Sequence, residues 1–77
     1  MSEVPKRLPM ASDEHRRRRR AAYERAAAAH QQAAIVHEEA AAFFELHGKI
    51  EKAAYHRIAA GVEHQRAQQD QDAADSQ

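Results

Sequence analysis

Between Asp13 and His47 the chain runs without a proline or a glycine, and over most of that stretch it repeats every seven residues. From Ala22 the successive blocks read AYERAAA, AHQQAAI, VHEEAAA and FFELH. A polar pair returns at one phase (Glu24-Arg25, Gln31-Gln32, Glu38-Glu39, then Glu45), and an Ala-Ala pair follows it (Ala26-Ala27, Ala33-Ala34, Ala40-Ala41). A seven-residue period on an unbroken run of strong helix formers makes a long helix with one wet line and a wide, shallow apolar face. Such a helix needs another helix against it.

The sequence also predicts where the helix starts and stops. Pro5 and Pro9 push their predecessors out of the helical region, so residues 1–12 are expected to be a flexible arm. Ser12 and Asp13 are good N-caps, and Glu14 complements the positive end of the helix dipole. Gly48 can adopt the left-handed conformation that closes a helix. Helix 1 is therefore expected over 13–47, with the turn at 48. A second helical period carries Ile50, Ala54, Ile58, Gly61 or Val62, and Gln65 on one side, which places helix 2 over 49–69. The polar acidic tail, 70–77, is expected to be disordered. So short a turn folds helix 2 back antiparallel on helix 1, giving an all-α hairpin.

Helix 2 of that length would cover helix 1 only back to about Ala27, at 1.5 Å per residue. The segment from Asp13 to Ala26 would then lack an intramolecular neighbour. A partner helix is expected to dock at this N-terminal end of helix 1.

With 77 residues there is room for one small domain. Burying a large side chain contributes about 1.5 to 3 kcal/mol, while ordering each residue costs about 1 to 2 kcal/mol, so a lone hairpin is marginal. The chain is expected to self-associate, as a dimer forming an antiparallel four-helix bundle. The expected interaction face is Tyr23, Ala26, His30, Ala33, Val36, His37, Ala40, Phe43, Phe44, Leu46, Ile50 and Ile58. Val36, Ala40, Phe43, Leu46, Ile50 and Ile58 are expected to carry the packing, with Phe43→Ala costing about 3 kcal/mol or more.

Several function classes find no support. There is no cysteine, so neither a disulfide framework nor thiol chemistry is available. Glu38, Glu39 and Glu45 lie on the wet line, where nothing would raise a carboxyl pKa for acid-base work, and the expected helices hold no Ser or Thr nucleophile. Catalysis is not expected. The start of the chain has no apolar signal core and no segment approaches a membrane span, which points to a cytoplasmic protein without a membrane partner. The Ala, Arg and His richness suggests a bacterial chain of high GC content.

Of the six histidines, only His47 has another His, Asp or Glu three or four residues away (Glu51), and Gly48 intervenes. A local helical metal chelate is thus missing, and neither metal nor cofactor is expected. Any metal site would have to join two helices or two subunits, for instance His37 with His56 or His64. The histidines are expected at the edge of a helical interface, hydrogen-bonded or half solvated; if His30 and His37 are instead neutral and buried on the packing face, stability should be lost as pH falls towards and below about 6.5.

The run Arg16, Arg17, Arg18, Arg19 and Arg20 points in every direction around a helix, a pattern suited to diffuse attraction to phosphate and not to base reading. A polyanion-binding or nucleic-acid accessory role is the alternative to the protein-interaction reading. Net charge is zero, but residues 1–25 carry eight basic against four acidic residues and residues 26–77 the reverse, which favours antiparallel or head-to-tail contacts.

The segment HEEAAAFFELHGKIEKAAYHRIAA resembles one helix-turn-helix of the tetratricopeptide type, with small residues, an aromatic, a turn glycine and alanines again. The Trp, the Leu-Gly pair and the closing Pro of that pattern are missing, and the chain has room for one such unit where a solenoid needs about three. What the resemblance implies is an antiparallel hairpin.

Overall fold

A computed structural model describes the backbone from Glu3 to Gln77 and the side chains from Ser12 onward. It consists of two helices, α1 (Glu3–Leu46) and α2 (Ile50–Asp75), packed antiparallel against each other in a rod of 73 × 13 × 12 Å. The antiparallel hairpin of the sequence reading is present.

The turn follows the expected chemistry. Gly48 has φ 71°, and the backbone N–H of Lys49 donates to the Phe44 carbonyl at 2.8 Å while that of Gly48 donates to Glu45 at 3.1 Å. This pair of bonds is the Schellman closure, which satisfies two of the carbonyls a helix end leaves bare.

Both helices are longer than expected. α1 begins at Glu3, well before Asp13, because a proline in the first turn, such as Pro5, forfeits no hydrogen bond; the missing rung at Pro9 is spanned. Met1 and Ser2, the first residues of the expected arm, lie outside the described residues. The expected disordered tail is also helix as far as Asp75. Gln68 donates to Asp72 at 2.9 Å and Gln71 to Asp75 at 3.0 Å, side-chain bonds across one turn that favour the helix. Ala67 and Ala74 bury against α1, giving the polar segment an apolar seam to follow.

The core is alanine. Ala27, Ala34 and Ala41 on α1 and Ala53, Ala60, Ala67 and Ala74 on α2 are each at most 4 % exposed, and among the described residues they are the buried hydrophobic ones. Each set is spaced by seven, so two straight lines of methyl groups meet. Such small side chains let helix axes approach to the lower end of the usual range, about 8 Å. The Ala-Ala pairs of α1 are thereby resolved: the second member is buried and the first (Ala26, Ala33, Ala40) is half-buried.

The large side chains expected to carry the packing lie outside this core. Val36, Phe43, Leu46, Ile50 and Ile58 are 54 to 85 % exposed, and Ala40 is only half-buried. The expected side of helix 2, with Ile50, Ala54, Ile58, Gly61 or Val62, and Gln65, is exposed and not apposed to α1. The reason is steric. Ala34 and Ala41 are 0 % exposed, and at that closeness a branched or aromatic side chain in the seam would push the axes apart.

Candidate functional site

Beside the alanine seam the heptad places a second line on each helix. On α1 it is Tyr23, His30, His37 and Phe44; on α2 it is His56, Glu63, Asp70 and Gln77. The two lines interleave along one edge of the rod. His37 Nδ1 and His56 Nδ1 are 2.9 Å apart and share a hydrogen bond, in which one ring donates and the other accepts. The His56 ring stacks on Phe44 with centroids 5.4 Å apart and meets Tyr55 edge-on at 5.2 Å. His30 donates from Nδ1 to Glu63 Oε2 at 2.7 Å, and its Nε2 is 3.6 Å from Asp70 Oδ2. That Asp70 oxygen is buried and has no hydrogen-bond partner.

The hydrogen bond from His30 holds the Glu63 carboxyl below its ordinary value, aided by the nearby charges and opposed by partial burial. His30 is thus a hydrogen-bonded, half-solvated histidine at the edge of the helical interface: it lies between two carboxylates and is about a third exposed.

The same edge carries large apolar side chains at its margins. Val36 and Phe43 occupy the α1 phase beyond Ala33 and Ala40, and Tyr55 and Val62 occupy the matching phase of α2. All four are 40 to 62 % exposed. Phe43 contacts Phe44 edge-on and lies 4.2 Å from the His47 ring, and Lys52 Nζ is 5.5 Å above the Phe44 ring. The result is one broad Ala/His/Phe face. The opposite edge is charged: Glu38 accepts from His64 at 2.7 Å and Glu45 pairs with Arg57. Those two glutamates are therefore engaged in surface contacts between the helices.

Of the residues expected on the interaction face, His30, Ala33, His37, Ala40 and Phe44 line this edge half-buried, with Ala26 at its open end and Tyr23 at 37 % exposure. Val36 and Phe43 flank it. Leu46 and Ile50 project beside the turn and Ile58 from the outer side of α2, so these three do not join it. The sequence reading did not select the α2 contributors His56, Glu63, Asp70, Tyr55 and Val62 for this face. Their signal was the line Ala53, Ala60, Ala67, Ala74, which fixes the α2 register and puts His56, Glu63 and Asp70 three residues further along.

The arginine run divides. Arg19 Nε donates to the Gln77 side-chain oxygen at 2.8 Å and an Arg20 guanidinium nitrogen donates to the Gln77 carbonyl at 3.0 Å. Arg19 and Arg20 stand at the heptad positions of Ala26 and Ala27, so they face the end of α2, where cations complement the negative pole of the helix dipole. Arg16 pairs with Asp13, and Arg18 is 3.6 Å from Glu14. A hollow of about 160 Å³ lies among Asp13, Arg16, Arg17, Arg20 and Gln77. Because α2 reaches Arg19 and Arg20, the stretch from Ala21 to Ala26 is not the uncovered overhang expected from a shorter helix 2. Folding back thus sets the basic run beside the C-terminal end of α2, where Arg19 and Arg20 meet Gln77.

Among the described residues no three His, Asp or Glu side chains converge on a metal-binding point, although His37 and His56 do meet. No described helix is long and apolar enough to cross a membrane. No known protein family, curated protein or solved structure matches the chain.

Proposed function

We propose that this hairpin is a non-enzymatic interaction module, a small scaffold or accessory subunit, that dimerises by laying its Ala/His/Phe face on the same face of a second copy in a four-helix bundle. One observation carries the reading: among the described residues every strongly buried apolar side chain is an alanine, while Tyr23, Ile35, Val36, Phe43, Leu46, Ile50, Tyr55, Ile58 and Val62 remain 37 to 85 % exposed. A buried methyl contributes about 0.8 kcal/mol, against an ordering cost of about 1 to 2 kcal/mol per residue. The hairpin therefore leaves its best source of stabilisation unused. Its accessible surface is 5994 Å², compared with roughly 4,700 Å² for a compact monomer of 8.7 kDa.

A second copy suits this face better than an unrelated chain. The face is self-matching, with Val36 and Phe43 on one helix and Tyr55 and Val62 on the other flanking a common line, as a two-fold interface requires. A net charge of zero opposes no self-association.

Sedimentation velocity at two protein concentrations tests the reading. The parent should be a dimer at micromolar concentration, and Phe43→Glu with Val62→Glu should give a helical monomer. A parent that stays monomeric throughout would remove the proposal. The alternative, polyanion binding through Arg16–Arg20, predicts capture of a DNA or RNA duplex that weakens steeply with salt, whereas association through apolar surface holds or tightens.

A further inference from the structure

The His37–His56 contact lies in the middle of the proposed dimer face, and its geometry limits how many protons it can hold. Each ring presents Nδ1 to the other at 2.9 Å. One nitrogen must carry a hydrogen and the other a lone pair, so the bond exists when at least one ring is neutral. Two imidazolium rings would present N–H to N–H, with two positive charges at the same point. Glu63 feels the His37 charge, but its carboxylate is already shared. Glu63 is engaged by His30 and lies 3.5 Å from Arg66, Lys52 sits over Phe44, and the neighbouring aromatic groups, Phe44 and Tyr55, offer no anion.

His30 responds in the opposite sense. Its Nδ1–H already serves Glu63, and its Nε2 faces the buried Asp70 Oδ2, an acceptor without a donor. A second proton on His30 supplies that donor and ties α1 to α2 more firmly. Acid therefore acts differently on the two contacts, strengthening the clamp within the hairpin and placing charge on its outer face.

We propose that the His37–His56 pair is a proton-operated release for the dimer, in which protonation of both rings separates the two copies while each hairpin stays folded. This rests on the dimer reading above and adds its control. Histidine is the side chain whose charge changes between about pH 5 and 8, so the release falls in a physiological window.

The test measures the dimer dissociation constant of the full chain by sedimentation at about pH 7.5 and 5.5, with helicity followed by circular dichroism. The parent should dissociate at least about tenfold more readily at the lower pH with its helicity retained. His37→Gln keeps a donor and an acceptor at the contact but leaves one titrating ring, and should change by less than about threefold; His56→Gln is the second variant and should behave alike. A parent dimer whose constant does not move with pH would overturn the switch and leave the dimer standing. Variants that dissociate as the parent does would also overturn it, by showing that another group is responsible. A parent that is monomeric at pH 7.5 overturns both proposals together.

Discussion

The seam and the histidine edge run side by side on the same two helices, yet they are built on opposite terms. The seam is seven alanines, each at most 4 % exposed, with no polar group among them. The edge is half-buried, polar along its middle and aromatic or branched at its margins. The seam tolerates nothing larger than a methyl group, because closeness is what it provides. The edge has room, and its side chains gain their full burial only against something outside the hairpin. The comparison teaches that apolar bulk does not always mark a core: where helices meet through alanine, the large residues are left for the next layer.

Substitutions can break or sharpen this contrast. The largest effect is expected at the seam, where Ala34→Leu puts an isobutyl group at a 0 % exposed site and should cost about 3 kcal/mol, enough to abolish most folded signal in a domain this small. Thermal melting followed by circular dichroism measures it, and a variant melting like the parent would mean the helices are not closely apposed. Next comes Gly48→Ala. The added methyl meets nothing within 4 Å, so the cost is that of φ 71° alone, about 1 to 2 kcal/mol. A neutral result there would count against the left-handed closure.

On the edge, Phe43→Ala should cost under about 1.5 kcal/mol in dilute solution, since the ring is 54 % exposed. This replaces the figure of about 3 kcal/mol anticipated for a packed position. At concentrations where the dimer forms, the cost should grow, and a cost independent of concentration would separate Phe43 from the interface. Gly61→Ala should act the other way: the position is mid-helix, with open space around an added methyl, and the variant should gain about 0.5 to 1 kcal/mol. Denaturant midpoints resolve that gain; a loss would show that Gly61 is needed for close approach by another chain.

The finest effect is the acid limb. The Glu63 pKa is lowered in the folded state, so its contribution is present above the ordinary carboxylate value of 4.5 and disappears as pH falls through the lower native value. The melting temperature should drop less steeply between about pH 5 and 3 in Glu63→Gln than in the parent. Identical slopes would indicate that the His30–Glu63 bond contributes nothing to this limb.

The outline of the fold was readable because it depends on local chemistry. Gly48 between two breaker-free runs gives a hairpin, and the recurrence of Ala-Ala every seven residues marks a small-residue stripe on α1. The end of α2 was not readable in the same way: QQDQDAADSQ has no bulk and a disordered composition, and what recruits it is Ala67 and Ala74 falling on a line begun by Ala53. The histidine edge was half visible. The line Tyr23, His30, His37, Phe44 follows from spacing, but its partners on α2 depend on a register that the larger residues Ile50 and Ile58 disguised.

The sequence by itself determined that two helices form and where the chain turns between them. Those outcomes follow from propensity, from one left-handed glycine and from period, each set within a few residues. Tertiary structure alone decided the register of α2 against α1, and with it that alanines enter the seam while Val36, Phe43, Tyr55 and Val62 stay outside. The physical reason is that burial depends on the distance between helix axes. That distance is set jointly by side chains 19 residues apart or more, as His37 and His56 are, and no local rule on one helix contains it.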